Sequence, residues 1–291
     1  MALRITIDIF SGRPNPVIVL EGPGEQEALD RLRPKAQLRA REVRPLPASI
    51  LGYRGLLVEQ SGRPARGLPK EFRVANGDIV AEGFAARPAD PAFEDFICGS
   101  TGPIRRLRPK PDLSEFILKE IARLDDLRHR WKPKRPVWPR GRRCQCAPLY
   151  EPGWWNVQPI QGSNNCYNYA TDYRTDTFAQ PGLAAGAMYG ALTCAAVRPA
   201  AVADALINSP NANNRCPREG HLVALVIAPG WDFHWFRKGR NGYWSHKPGS
   251  TAVTNLDNSA VTIPDPRTAD RGPYTQFCTF MVVMHGHIKI A

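Results

Sequence analysis

The chain contains 291 residues, of which 43% are hydrophobic, and its formal net charge is +12. This length accommodates one large domain or two smaller ones, and no apolar run is long enough to form a transmembrane segment. Seven cysteines, an odd number in a chain this long, argue against a disulfide framework.

The N-terminal residues Met1–Phe10 alternate apolar and polar side chains. This pattern predicts a β-strand, not a signal peptide with a basic head and an apolar block. We therefore expect a cytoplasmic protein, unless a dedicated secretion system exports it. In an exported protein, Cys194 could form a disulfide with Cys216, or one of these two could pair with Cys278.

Residues 1–110 are predicted to form a β-rich module whose role the sequence does not indicate. Strand-like runs alternate with turn residues, and the Asn76–Gly77 pair is typical of a hairpin turn. The predicted strands are Leu3–Phe10, Val17–Leu20, Ile50–Gln60 and the hairpin Phe72–Ala81, with a short helix over Glu25–Arg41.

Residues 111–153 are predicted to comprise one amphipathic helix, Asp112–Trp131, followed by a linker rich in proline and arginine. The net charge is concentrated here, since residues 101–150 hold 14 lysines and arginines against 5 acidic residues. Residues 128–143 interleave these cations with tryptophans, which suits contact with nucleic acid or an anionic surface. A solvated linker explains the same composition.

Residues 154–291 are predicted to place helices first and strands second, which is an α+β order. The predicted helices are Cys166–Thr177, Leu183–Ala196 and Pro199–Asn208. The predicted strands are His221–Ala228, Phe233–Arg237, Tyr243–His246, Val253–Asn255 and Thr275–Met284.

Cys166 is the candidate nucleophile of this part of the chain. Small polar residues precede it and a predicted helix follows, which places the thiol at a helix N-terminus, where the backbone favours a thiolate. His221 opens a predicted strand and is the candidate base, and His234 on the next strand is its candidate orienting partner. A buried cysteine and two strand-edge histidines explain the same pattern.

A second arrangement of the same chemistry uses Cys166, His246 and Asn255, with Asp257 close by. The candidate oxyanion donors are Gln158 and Gln161, or instead Asn164, Asn165 or the backbone amide of Cys166.

Aromatic residues are dense around these positions. Some are expected to line a cleft for a peptide or glycopeptide substrate, although a hydrophobic core would use the same side chains. The candidate cleft residues are Trp155, Tyr167, Trp235 and Trp244. No nucleotide or zinc-protease motif is present, so we expect neither a metal nor a cofactor.

The order Cys166, His221, His234 resembles the NlpC-type peptidases and, more loosely, the papain-like cysteine peptidases and amidases. The resemblance covers about residues 164–237, and Asn165-Cys166-Tyr167-Asn168 stands where that family usually has Asp-Cys-Ser-Gly. It implies a papain-like domain with a helix-borne cysteine packed on an antiparallel sheet. It also implies a bacterial hydrolase or acyl transferase acting on an amide bond. The alternative is a non-catalytic binding module, associated with a toxin or phage, that uses the aromatic cleft and basic linker.

Overall fold

A computed structural model describes residues 2–39, 50–107, 112–130 and 144–291. Contacts divide the chain into two compact units. The first unit comprises Met1–Ile9, Asn15–Pro47 and Tyr53–Arg130, and the second comprises Phe10–Pro14, Ala48–Gly52 and Trp131–Ala291. The modules 1–110, 111–153 and 154–291 stay a prediction, because a division by contacts does not test the roles that were predicted for them.

In the described residues, the first unit is built on a seven-stranded antiparallel sheet with three helices. Its strands are β1 (Ala2–Ile7), β2 (Val17–Glu21), β3 (Pro34–Gln37), β4 (Leu56–Gln60), β5 (Glu71–Ala75), β6 (Asp78–Ala81) and β7 (Phe84–Pro88). Its helices are α1 (Pro23–Leu32), α2 (Phe93–Cys98) and α3 (Leu113–Arg130), with a 3-10 turn at Pro103–Arg106. The strand order is β2-β1-β4-β5-β6-β7-β3, so β2 and β3 are the edges.

Local sequence explains most of these elements. In β1, the alternate residues Leu3, Ile5 and Ile7 are buried, as the period of a half-buried strand requires. The β5–β6 hairpin turns at the predicted pair, where Asn76 and Gly77 both have positive φ. Helix α1 is shorter than predicted, since the residue before Pro34 is disfavoured in helical conformation.

A buried ion cluster lies at the end of β1. The carboxylate of Asp8 accepts hydrogen bonds from Arg54 at 2.7 Å and from Arg73 at 2.9 Å. Burial alone would raise the pKa of Asp8, but the two guanidinium groups outweigh it and lower this pKa to about 2.

The second unit is built on a five-stranded antiparallel sheet with the order β11-β10-β9-β12-β8. Its strands are β8 (Ile207–Asn208), β9 (His221–Ala228), β10 (Asp232–Lys238), β11 (Trp244–His246) and β12 (Gln276–Val283). Its helices are α4 (Pro152–Trp155), α5 (Ile160–Ser163), α6 (Cys166–Thr171) and α7 (Cys194–Ala203), with a 3-10 turn at Pro210–Ala212.

The central strand β9 is buried on both faces. Its odd-numbered residues pack with α6 and α7, and its even-numbered residues pack with loop residues such as Leu51 and Ile263. Helix and antiparallel sheet are therefore combined in this unit, and the predicted α+β class is confirmed.

Four predicted elements of this unit differ. The predicted helix Pro199–Asn208 ends with α7 at Ala203, and Ile207–Asn208 is the strand β8. Helix α6 ends at Thr171, because Asp172 adopts the left-handed conformation that terminates a helix. Most of the predicted helix Leu183–Ala196 is turns and bends, and α7 begins only at Cys194. The predicted strand Val253–Asn255 contributes one isolated bridge, between Thr254 and His246. Among the described residues, no helix is both long and apolar enough to cross a bilayer.

Candidate functional site

Helix α6 begins at Cys166, as predicted, because Asn165 caps it. The Asn165 side chain accepts hydrogen bonds from the backbone amides of Tyr167 and Asn168, and the Asn168 side chain accepts one from the Asn165 amide. This is a reciprocal capping box with asparagine at both positions. The thiol of Cys166 therefore lies at a helix N-terminus, as the sequence predicted.

The surroundings of Cys166 are those of a core residue. Its side chain is 0% exposed and packs among the apolar residues between α6 and the sheet. The Sγ atom lies 3.9 Å from the carbonyl oxygen of Phe233. Burial, and next the nearby Asp232, raise the pKa of the Cys166 thiol well above its ordinary value. The desolvation of a thiolate here outweighs the favourable helix end, so the thiol stays protonated.

His221 opens β9, as predicted, but it bonds to the other end of α6. Its Nε2 lies 2.7 Å from the carbonyl oxygen of Ala170. A carbonyl only accepts, so Nε2 carries the ring proton and donates a hydrogen bond to this oxygen. Burial lowers the pKa of His221 to about 3. The neutral imidazole is thus a hydrogen-bond donor that joins the sheet to the helix.

His234 lies on the face of the sheet opposite Cys166. Neighbouring residues of a strand point to opposite faces, and Phe233 and Trp235 share the apolar cluster of Cys166. The His234 ring instead contacts Tyr274, which belongs to the cluster on the other face. The pleat of β10 therefore separates this histidine from the proposed nucleophile.

His234 and His246 form a hydrogen-bonded pair. His234 Nε2 lies 2.9 Å from His246 Nδ1, and His246 Nε2 lies 2.9 Å from the carbonyl oxygen of Leu256. Since that carbonyl only accepts, His246 carries its ring proton on Nε2. Its Nδ1 therefore accepts a hydrogen bond from the N–H of His234 Nε2. Burial lowers the pKa of His246 to about 4, which keeps this imidazole neutral near pH 7.

The other members of the second arrangement organise a loop. The Asn255 carbonyl accepts the amide of Ile263. The Asp257 carboxylate accepts three backbone amides, those of Ser259, Val261 and Asp270. Cys166, His246 and Asn255 thus have separate partners, and the fold does not assemble them as a triad.

Among the candidate oxyanion donors, the Asn164 side chain has structural partners. The Asn164 side chain donates to the carbonyl of Ile160 and the carboxylate of Asp176, and it accepts the amides of Thr175 and Asp176. The carbonyls of Gln161, Asn164 and Gly249 each accept a hydrogen bond from the buried Lys247 ammonium at 2.6 Å. Gln158 precedes Pro159 through a cis peptide bond. These residues hold the segment before α6.

The four candidate cleft residues lie in the core rather than on an open cleft. Trp155, Tyr167, Trp235 and Trp244 are each at most 2% exposed. Tyr167 and Trp235 pack with ring centroids 5.2 Å apart, and Trp244 stacks on Phe280 at 5.7 Å. These aromatic residues therefore stabilise the fold.

Sequence reasoning missed a buried polar network around Asp232. Its carboxylate accepts the amide of Ser11 at 2.5 Å, the amide of Gly12 at 3.2 Å and the hydroxyl of Tyr274 at 2.6 Å. The Gly12 carbonyl in turn accepts the Asn165 side chain at 2.7 Å. The turn residues Ser11-Gly12-Arg13-Pro14 are the available sequence signal, but their partners lie more than 150 residues away in the chain.

Two disulfides cross-link the second unit. Cys144 pairs with Cys216, and Cys194 pairs with Cys278, so of the two expected alternatives the bridge to Cys278 is formed and the Cys194–Cys216 bridge is not. The free cysteines among the described residues are Cys98, Cys146 and Cys166. Structural disulfides persist in oxidising compartments.

Comparison with known proteins identifies a curated relative. The chain is 47% identical to insoluble matrix shell protein 1 of Ruditapes philippinarum over 140 residues, which are 47% of this chain and 91% of that protein. No family model matches the chain. No solved structure matches it either.

This relative overturns four predictions. The predicted amide hydrolase or acyl transferase is wrong, and so is the alternative of a toxin- or phage-associated module, because the relative is a matrix shell protein. The expected bacterial source is contradicted by the organism of the relative, and the cytoplasmic location is contradicted by its place in a shell matrix.

Proposed function

Because the chain belongs to the family of insoluble matrix shell protein 1, we propose that it is a non-catalytic structural protein of an insoluble extracellular matrix. The observation that carries this proposal is the 47% identity over 91% of the relative. Identity at this level and coverage supports a shared role.

The chemistry of the second unit supports a structural role. Catalysis by a cysteine needs a thiolate and a base within reach, whereas Cys166 is fully buried with a raised thiol pKa. His221 and His246 are each bonded to a backbone carbonyl. Each group therefore serves packing and hydrogen bonding.

The disulfides support an extracellular location. Four of the seven cysteines are paired, which suits an oxidising compartment. In this proposal the partners are other matrix components, rather than a peptide or glycopeptide substrate. The predicted contact of residues 128–143 with nucleic acid or an anionic surface falls on side chains outside the described residues.

We propose a papain-like domain for the second unit as a statement about its fold alone. The support for it is a helix that carries Cys166 and packs on an antiparallel sheet. Such a domain needs no catalytic activity to act as a structural module.

The test is fractionation of the extracellular matrix of the source organism. The matrix is extracted first with buffer and then with denaturant and reductant, and peptides of this chain are measured in each fraction. We expect the chain in the second extract, with peptides joined through Cys144–Cys216 and Cys194–Cys278 before reduction. Recovery from the cytosol with all four thiols reduced would contradict the proposal.

A further inference from the structure

The first unit has an open cleft of about 680 Å³ between α1, α2 and the 3-10 turn Pro103–Arg106. We call it the arginine cleft, because Arg31, Arg105 and Arg106 line it, together with Glu27 and the ring of Phe96. Three cations against one carboxylate make it electropositive.

The two arginines of the 3-10 turn are available to a ligand. The Glu27 carboxylate is already bound by Arg31 at 2.9 Å, and Arg31 also bonds to Asp90 at 2.6 Å. Arg105 is exposed and has no ion pair among the described residues. Within the same residues, Arg106 bonds only to the neutral carbonyl of Val19, at 3.3 Å. The positive charge of the cleft that no carboxylate neutralises is therefore carried by the adjacent residues Arg105 and Arg106.

The backbone places these two arginines firmly. Ile104, directly before them, is buried, and an added Cβ at Gly102 would clash with the carbonyl oxygen of Phe96. The turn thus packs directly against α2. The Arg106 guanidinium lies over the first turn of α1, 4.0 Å from where a Cβ of Gly24 would be.

A sheet edge lies beside the cleft. Strand β2 is an edge strand, its Val19 is 47% exposed, and the Val19 carbonyl points to Arg106 rather than to a neighbouring strand. Leu20 of the same strand lines the cleft. An edge strand offers main-chain hydrogen bonds to an extended peptide, whereas a polysaccharide cannot continue a sheet. Guanidinium groups bind carboxylates in bidentate geometry.

We propose that the arginine cleft binds an acidic polypeptide in extended conformation. Its carboxylates bond to Arg105 and Arg106. Its backbone pairs with β2, whose Val19 carbonyl becomes available when Arg106 turns from it to the ligand. The proposal rests on the matrix role above, and it names the class of matrix component that this chain holds.

The test uses the purified full chain and a fluorescent aspartate-rich peptide of twelve residues, with binding measured by anisotropy at fixed salt. The double variant Arg105→Gln, Arg106→Gln is expected to bind about tenfold more weakly, since it loses charged hydrogen bonds. The control, Arg63→Gln with Arg66→Gln, removes the same charge from exposed arginines elsewhere in the unit and should change the affinity less than about twofold. Equal losses in the two double variants would show nonspecific attraction to a basic chain and overturn the proposal.

Two further ligands test the polypeptide and its conformation. A peptide N-methylated at every residue keeps its charge but has no backbone N–H with which to pair with a sheet edge, and we expect about tenfold weaker binding. Unchanged binding would contradict the proposed pairing of the peptide backbone with β2. A sulfated polysaccharide that binds through the same arginines while the peptide does not would overturn the polypeptide assignment. These outcomes concern the cleft alone, while the matrix location is decided by fractionation.

Discussion

Cys166 and His221 lie on the same face of the second sheet, yet each side chain bonds to a different backbone carbonyl. The Cys166 thiol lies 3.9 Å from the oxygen of Phe233, and the His221 Nε2 lies 2.7 Å from the oxygen of Ala170. The helix start and the strand start are thus joined by structural hydrogen bonds rather than by a nucleophile–base pair.

The three free thiols, Cys98, Cys146 and Cys166, should differ in their rates of alkylation. We expect iodoacetamide to label Cys146, which is exposed, in the folded chain. Cys98 and Cys166 should react only after unfolding, because both are buried and burial raises both thiol pKa values. Peptide mass spectrometry with and without urea measures the rates. Labelling of Cys166 as fast as that of Cys146 would contradict the buried thiol.

The contact between Gly12 and Phe233 predicts a steric effect. An added Cβ at Gly12 would lie 2.4 Å from the Phe233 ring, so Gly12→Ala should lower the free energy of unfolding by about 1–3 kcal/mol. Urea denaturation followed by tryptophan fluorescence measures this. The control is Gly190→Ala, where an added Cβ meets no atom within 4 Å. Equal midpoints for the two variants would show that the loop moves freely.

The buried histidines predict a loss of stability in acid. The pKa is about 3 for His221 and about 4 for His246 in the folded chain, below the ordinary 6.5. The unfolded chain therefore binds protons first as the pH falls below about 6.5, and stability declines until the folded pKa is reached. Each histidine contributes a slope of about 1.4 kcal/mol per pH unit.

Denaturation at several pH values tests this slope. His221→Gln should show a shallower decline between about pH 6 and pH 4, because one proton-binding group is removed. The exposed His287 provides the control, and His287→Gln should keep the profile of the wild type. A profile for His221→Gln that matches the wild type would mean that His221 does not carry the effect.

The Asp8 cluster predicts a second acid transition, in the first unit. Because its folded pKa is about 2 and the ordinary value is 3.8, its stabilisation is complete above about pH 4 and is lost as the pH falls towards 2. The loss is about 2 kcal/mol. Hydrogen exchange of β1 amides measures it. In Asp8→Asn this acid dependence should disappear, and the exchange should be faster already at pH 6, because Arg54 loses its buried counter-charge.

The disulfide Cys194–Cys278 joins residues 84 apart. The double variant Cys194→Ser, Cys278→Ser should lower the stability of the second unit by about 4 kcal/mol, because its unfolded chain gains entropy. Cys146→Ser should change it by less than about 0.5 kcal/mol. Guanidinium denaturation without reductant compares the variants. A wild-type midpoint in the double variant would mean that this bridge does not form.

The sequence by itself determined several local elements. Alternation identified β1, the Asn76–Gly77 pair identified a hairpin, and the polar residues before Cys166 identified a helix start. These features depend on neighbours within a few residues, so a single sequence contains the information.

Tertiary structure decided the chemistry of the same residues. Whether His234 points towards Cys166 depends on the pleat of β10 and the register of its neighbours, and a shift of one residue would reverse it. The carboxylate of Asp232 meets the amide of Ser11 across 221 residues, a distance over which no local pattern operates. Burial set the protonation of Cys166 and His221, because the cost of charge depends on everything packed around a group.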